Sequence, residues 1–113
     1  MTIERSNAKI IGTTLDIEDH GCLTFFVHLD YGESEQGFGG YALDKRSGGS
    51  GEFAVRAIRG VLETVGVNDW EDLVGCYVRV DYDHGCVHRI GHIIDNKWLS
   101  LKDLASESEE EQK

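Results

Sequence analysis

Arginines at positions 46, 56, 79 and 89 are the side chains of this sequence best suited to a chemical task. A planar guanidinium meets a phosphate or carboxylate through two parallel N–H···O bonds, and it keeps its charge at any physiological pH. Arg46 sits in the basic, glycine-rich stretch Asp44-Lys45-Arg46-Ser47-Gly48-Gly49-Ser50-Gly51, directly before an amphipathic helix. A helix start presents unpaired N–H groups and the positive end of a dipole, so Lys45, Arg46 and the backbone of Gly49, Ser50 and Gly51 could cradle an anion. Glu52 in the first turn competes for the same potential. The stretch is not a P-loop, because it lacks the closing Gly-Lys-Ser/Thr, and glycine and serine content alone favours a flexible linker over an anion site. Phe38, Tyr41, Phe53, Trp70, Tyr77 and Trp98 are available to stack on a ligand ring, and Asn68 offers an amide. The candidate ligand-binding set is therefore Arg46, Gly49, Ser50, Gly51, Phe53, Arg56, Asn68, Arg79 and Arg89.

Other chemistries find less support. His84, Cys86, His88 and His92 share one parity along a segment, and His20 and Cys22 sit at another turn. Zinc needs donors converging on one point, whereas strand residues at i and i+4 lie about 13 Å apart. No Cys-x-x-Cys pair occurs, so these side chains are expected to be paired or solvent-facing, without metal or other cofactor. If His84-Gly85 is a two-residue turn, Asp81 faces His88 across the hairpin. Cys22 and Cys76 begin strands and nothing marks either as an activated thiolate. Asp16, Glu18, Asp19 and Asp30 could serve acid–base chemistry, but carboxylates are frequent throughout the chain and no catalytic residue is assigned.

The elements that must position these groups follow from periodicity. Ala54, Ala57, Ile58, Val61, Leu62 and Val65 recur at helical spacing, with Arg56, Arg59 and Glu63 on the opposite face. Ser50 is the expected N-cap and Gly66 the C-cap. Met1–Ala8 reads as polar and loose at its start. Strands are expected over Lys9–Glu18, with Ile11, Thr13, Leu15 and Ile17 on one face, over Cys22–Tyr31, with Leu23, Phe25, Val27 and Leu29 inward, and over Gly37–Leu43. Asn68 and Glu71 have capping-box spacing before a short helical turn. Cys76–Tyr82 and Cys86–Ile94 form a second hairpin, Lys97–Leu101 a last short strand or extended arm, and Lys102–Ala105 one helical turn. The expected fold is α+β: a three-stranded antiparallel meander plus a second hairpin, packed around one principal amphipathic helix. Residues 1–105 make a single domain and 106–113 an acidic disordered tail. The tetrapeptide Asp-His-Gly-Cys occurs at 19–22 and 83–86, which two hairpins choosing the same turn residues explain more simply than a duplication.

A length of 113 residues suits one domain with its own core. Three cysteines at irregular spacing make no disulfide framework and fit a reducing compartment. With no long apolar run and no signal-peptide pattern, a soluble cytoplasmic protein is expected, without a membrane partner. The formal net charge of −10 argues against binding DNA or RNA through the phosphate backbone.

Five segments carry a resemblance: Ile17–Gly21, Phe26–Gly32, Gln36–Asp44, Gly66–Leu73 and Ile90–Trp98, with Gly-Phe-Gly-Gly-Tyr and Val-Asn-Asp-Trp-Glu-Asp-Leu the most distinctive. The resemblance, which extends over nearly the whole chain, is to a family of small phage and prophage proteins, and the chain resembles the first type of Thoeris anti-defence protein. The resemblance implies a non-enzymatic sponge in the host bacterial cytoplasm. It would capture cyclic ADP-ribose isomers intact between protomers of a homo-oligomer and carry a second kind of site for cyclic oligonucleotides. The loop at Asp44–Gly51 is shorter than that family's pattern. The competing expectation, which rests on the net charge, is an acidic phage protein that inhibits a host defence protein directly, of the anti-CRISPR or DNA-mimic type.

Overall fold

The first long strand, β1 (Glu4–Ile17), is the one on which the sheet is built. The computed structural model describes residues 2–32, 34–43 and 51–111, with side chains described through Ser106. Residues 9–17 of β1 pair with β2 (Leu23–Asp30), which pairs in turn with β3 (Glu35–Gly39). Residues 4–9 of β1 pair with β4 (Tyr77–Tyr82), followed by β5 (Val87–Gly91) and β6 (Trp98–Leu99). The result is a six-stranded antiparallel sheet in the order β3-β2-β1-β4-β5-β6. The sheet curls, so that β3 and β5 touch although they are not neighbours in that order. The α+β expectation holds, with one principal helix, α1 (Glu52–Val65), and a second, α2 (Leu101–Glu111).

The first strand begins at Glu4 instead of Lys9, so a segment expected to precede the sheet runs through its centre. Ala8 and Ile10 are buried on the core side while Arg5, Asn7 and Lys9 alternate outward. So few apolar residues disguise a strand whose pairing partner is β4, far away in sequence. The expected shared face of Ile11, Thr13, Leu15 and Ile17 is broken by a bulge: Ile10 pairs with Leu29 and Gly12 with His28, leaving Ile11 over. Beyond it Thr13, Leu15 and Ile17 stand opposite Val27, Phe25 and Leu23, yet Leu15 and Ile17 remain 56% and 71% exposed.

Phe25, Val27 and Leu29 of β2, Phe38 of β3, Val78 and Val80 of β4, and Ile90 of β5 meet Phe53, Ala57 and Val61 of α1 in the core. Leu101 and Ala105 of α2, which packs against α1, complete it. The helix ends as expected at Gly66, in the left-handed region with its N–H bonded to the Leu62 carbonyl. Its N-cap is Gly51; Ser50, the expected cap, lies outside the described residues. The next turn, Trp70–Leu73, is a 3-10 helix whose N-cap is Asp69 rather than Asn68, and no side chain caps it. The helix α2 continues through Glu111, into the stretch expected as a tail.

The glycines of Gln-Gly-Phe-Gly-Gly make room for β2. A Cβ on Gly39 would stand 2.2 Å from the Phe25 carbonyl oxygen, at φ +136°, and a Cβ on Gly37 would stand 2.8 Å from the Phe26 ring. Phe38 between them points into the core.

The repeated Asp-His-Gly-Cys turns are built differently. In the second, Asp83 Oδ1 accepts from the N–H groups of Gly85 and Cys86. In the first the neighbouring Glu18 does this work, accepting from His20 and Cys22. That difference agrees with two independent hairpins.

Candidate ligand site

On the outer face of the sheet, opposite α1, β4 and β5 bring arginines into register. Val78, Val80 and Ile90 point inward, so Arg79, Asp81, Arg89 and Gly91 must point outward. Arg5 of β1 pairs with Asp81, which pairs with Arg89; one row along, Arg79 pairs with Gly91, which pairs with Trp98. Gly91 is buried beneath the Trp98 indole, where a Cβ would lie 2.5 Å from the ring. The guanidinium carbons of Arg89, Arg5 and Arg79 stand 4.3, 4.5 and 4.7 Å from the centre of that ring. Three like charges tolerate this spacing because the electron-rich indole face attracts each of them.

Asp81 provides the second compensation. Its side chain is 8% exposed and accepts from Arg5 Nε at 2.7 Å, Arg5 Nη2 at 3.1 Å and Arg89 Nε at 2.6 Å. The Arg5 hydrogen bond is the main reason its carboxyl titrates below the usual range, with Arg89 adding to it against the opposing effect of burial. Three guanidinium groups against one carboxylate leave the cluster with a formal charge of +2, in a chain whose net charge is −10. Arg79 is tied down differently, giving Nε to the His92 carbonyl and Nη2 to that of Asp95, both at 2.7 Å. These bonds, with the Trp98 indole N–H donating to Asn96 Oδ1, fix the loop before β6 and hence the ring. Arg5 Nη1 and both terminal nitrogens of Arg89 have no hydrogen bond among the described residues. Those donors are what the cluster offers to an anion.

The structure thus brings together two of the sequence candidates, Arg79 and Arg89, and adds Arg5 and Trp98. Arg56 lies on α1, paired with Glu52 at 2.6 Å, and lines a groove that Trp98 also lines. Phe53 is 1% exposed in the core, 6.0 Å from the Tyr41 ring, and presents no face for stacking on a ligand. Asn68 is exposed ahead of the 3-10 turn, and Gly51 precedes α1 at φ +80°. Arg46, Gly49 and Ser50 lie outside the described residues. Arg5 was legible only through its alternation with Ala8 and Ile10 on opposite faces of the strand, a signal that its polar neighbours drown.

The expected pairing of Asp81 with His88 gives way to another. A bulge between Asp81 and Tyr82 sets Asp81 against Arg89, and His88 Nε2 instead lies 2.7 Å from Asp83 Oδ2. No helix among the described residues is long and apolar enough to cross a membrane. Comparison of the chain with protein-family models, curated proteins and solved structures gives no match.

Proposed function

We propose that this protein captures a small anionic nucleotide and holds it without cleaving it. The class of ligand is the cyclic ADP-ribose isomers of bacterial immune signalling, with cyclic oligonucleotides as a second class. One observation carries the reading: three guanidinium groups gathered over the Trp98 ring on an outward-facing sheet, with terminal nitrogens left over. A pyrophosphate takes up such donors, and a nucleobase stacks on the plane of an outer guanidinium. The indole, covered on one side by Gly91, serves chiefly to hold the arginines. The resemblance to the anti-defence family supports the same class of ligand, and with it a homo-oligomer in the host cytoplasm. Leu15 and Ile17 offer exposed apolar surface for such an assembly.

The test is native mass spectrometry of the purified chain with cyclic ADP-ribose isomers and a panel of cyclic oligonucleotides. A mass shift equal to the intact ligand, lost in Arg89→Ala and in Arg5→Ala, is the expected result. Recovery of cleaved fragments would make the protein an enzyme. Absence of any shift, with salt-sensitive capture of a basic host protein instead, would favour direct inhibition.

A further inference from the structure

At the β4–β5 hairpin, three side chains of different donor type converge. Asp83 Oδ2, His88 Nε2 and Cys86 Sγ belong to a group whose donor atoms all lie within 4.8 Å of one another. The residues come from the two sides of a turn closed by the bond from the Asp83 N–H to the Cys86 carbonyl. Register does what strand spacing alone does not: Asp83 meets Cys86 and His88 across the turn instead of along one strand. We propose that Asp83, Cys86 and His88 form a binding site for a borderline divalent transition metal of the zinc class, with a fourth position open to water.

The donor set selects the metal. Thiolate, imidazole and carboxylate are together the ligands of zinc and its congeners, whereas magnesium and calcium take oxygen donors almost alone. The Asp83–His88 pair fits with a small adjustment, and Cys86 with a side-chain rotation. Metal–ligand bonds of about 2.0–2.3 Å at tetrahedral angles separate nitrogen from oxygen by about 3.3 Å and sulfur from nitrogen by about 3.6 Å. Here Oδ2 is 2.7 Å from Nε2, and Sγ is 3.9 Å from Nε2 and 3.8 Å from Nδ1. The metal takes the place of the hydrogen that now joins Asp83 to His88 and pushes those two atoms apart by about half an ångström, while Cys86 Sγ, which lies beside the ring at nearly equal distance from both nitrogens, turns about its Cα–Cβ bond to reach the ion.

The supporting shell is already present. Asp83 Oδ1 accepts the N–H groups of Gly85 at 2.8 Å and Cys86 at 3.2 Å, which fixes the carboxylate and leaves Oδ2 as the ligand oxygen. Cys86 and His88 are both exposed, so an ion can reach them. Binding displaces the thiol proton to solvent, and the hydrogen on Nε2 leaves that atom, moving to Nδ1 in a neutral imidazole or to solvent from an imidazolium.

The test is titration of the untagged, fully reduced chain with cobalt(II), followed by absorption spectroscopy. The expected result is saturation at one equivalent per chain. It comes with a near-ultraviolet sulfur-to-cobalt charge-transfer band, visible bands of tetrahedral intensity, and bleaching by zinc. Cys86→Ser removes the charge-transfer band and His88→Ala abolishes saturation at that stoichiometry. Cys22→Ser leaves both unchanged. Circular dichroism of the metal-free variants shows them folded, since both ligand side chains are on the surface. Absence of a charge-transfer band in the parent chain, its survival in Cys86→Ser, or weak bands of octahedral type would each overturn the proposal.

Discussion

Gly91 lies so close beneath Trp98 that a Cβ at position 91 would stand 2.5 Å from the indole Cε3 and 2.7 Å from Cδ2. The absence of a side chain on β5 is what lets an aromatic ring from β6 lie flat across the sheet, within reach of three arginines from β1, β4 and β5. Gly91→Ala lifts the ring. The expected outcome is a loss of about 1–3 kcal/mol of stability, measured by denaturant unfolding. Trp98→Ala in the same assay removes the ring without crowding, so the pair separates overpacking from lost stacking.

Asp81→Asn removes the charge that unites Arg5 and Arg89. The carboxylate is nearly buried but its partners are half exposed, so the expected loss is about 1–3 kcal/mol rather than that of a fully buried pair. Urea unfolding at neutral pH measures it, and a change below about 0.5 kcal/mol would show the pair to be energetically idle.

The same carboxylate sets a pH dependence. The ionised form binds the guanidinium groups, so the folded chain holds the Asp81 proton more weakly than the unfolded chain does. Its stabilisation is complete above the unfolded value of about 3.9 and drains away as pH falls below that, through the lower folded value. Asp83 and Glu18, also held low by hydrogen bonds in their turns, act in the same direction. Stability measured from pH 6 down to 2 should fall, and Asp81→Asn should fall less steeply.

Trp70 joins the 3-10 turn to the sheet by donating its indole N–H to Thr13 Oγ1 at 3.1 Å, while its ring meets Phe25 edge-on with centroids 5.9 Å apart. Thr13→Val keeps the shape and removes the acceptor. A loss of about 0.5–1.5 kcal/mol is expected, with the fluorescence of Trp70, isolated in a Trp98→Phe background, shifting as its N–H is freed.

Gly39→Ala is expected to be the most damaging of the glycine substitutions. The added methyl would meet the backbone oxygen of Phe25 at 2.2 Å, and backbone cannot step aside as a ring can. Failure to accumulate as soluble protein on expression, against normal yield for Gly85→Ala, would support this; equal yields would contradict it.

Much of the architecture was legible because it is local. The helix over Ala54–Val65 announces itself by apolar spacing and a terminal glycine, and the β4–β5 hairpin by its turn residues. What stayed hidden depends on partners distant in sequence. Arg5 and Asp81 are 76 residues apart. The Ile11 bulge is set by how β1 changes partners, and no periodicity records it. The candidate site was half visible for the same reason: Arg79 and Arg89 share a hairpin, whereas Arg5 and Trp98 arrive from opposite ends of the chain. At the metal candidate, counting along one strand missed Asp83, because a turn shortens distances that an extended strand lengthens.

The division of β1 between two partners also bears on the order in which the chain can fold. As it leaves the ribosome, β1, β2 and β3 can pair at once, since short turns join them. The edge of β1 from Glu4 to Lys9 has no mate until Tyr77–Tyr82 has been made. Throughout that interval the nascent chain carries an open strand edge, the kind of surface that recruits stray strands from other molecules. Its polar and charged residues, Glu4, Arg5, Ser6, Asn7 and Lys9, then act as a guard on an edge that must wait. The composition that made this segment look unstructured is what keeps it from pairing too early, and with the wrong neighbour.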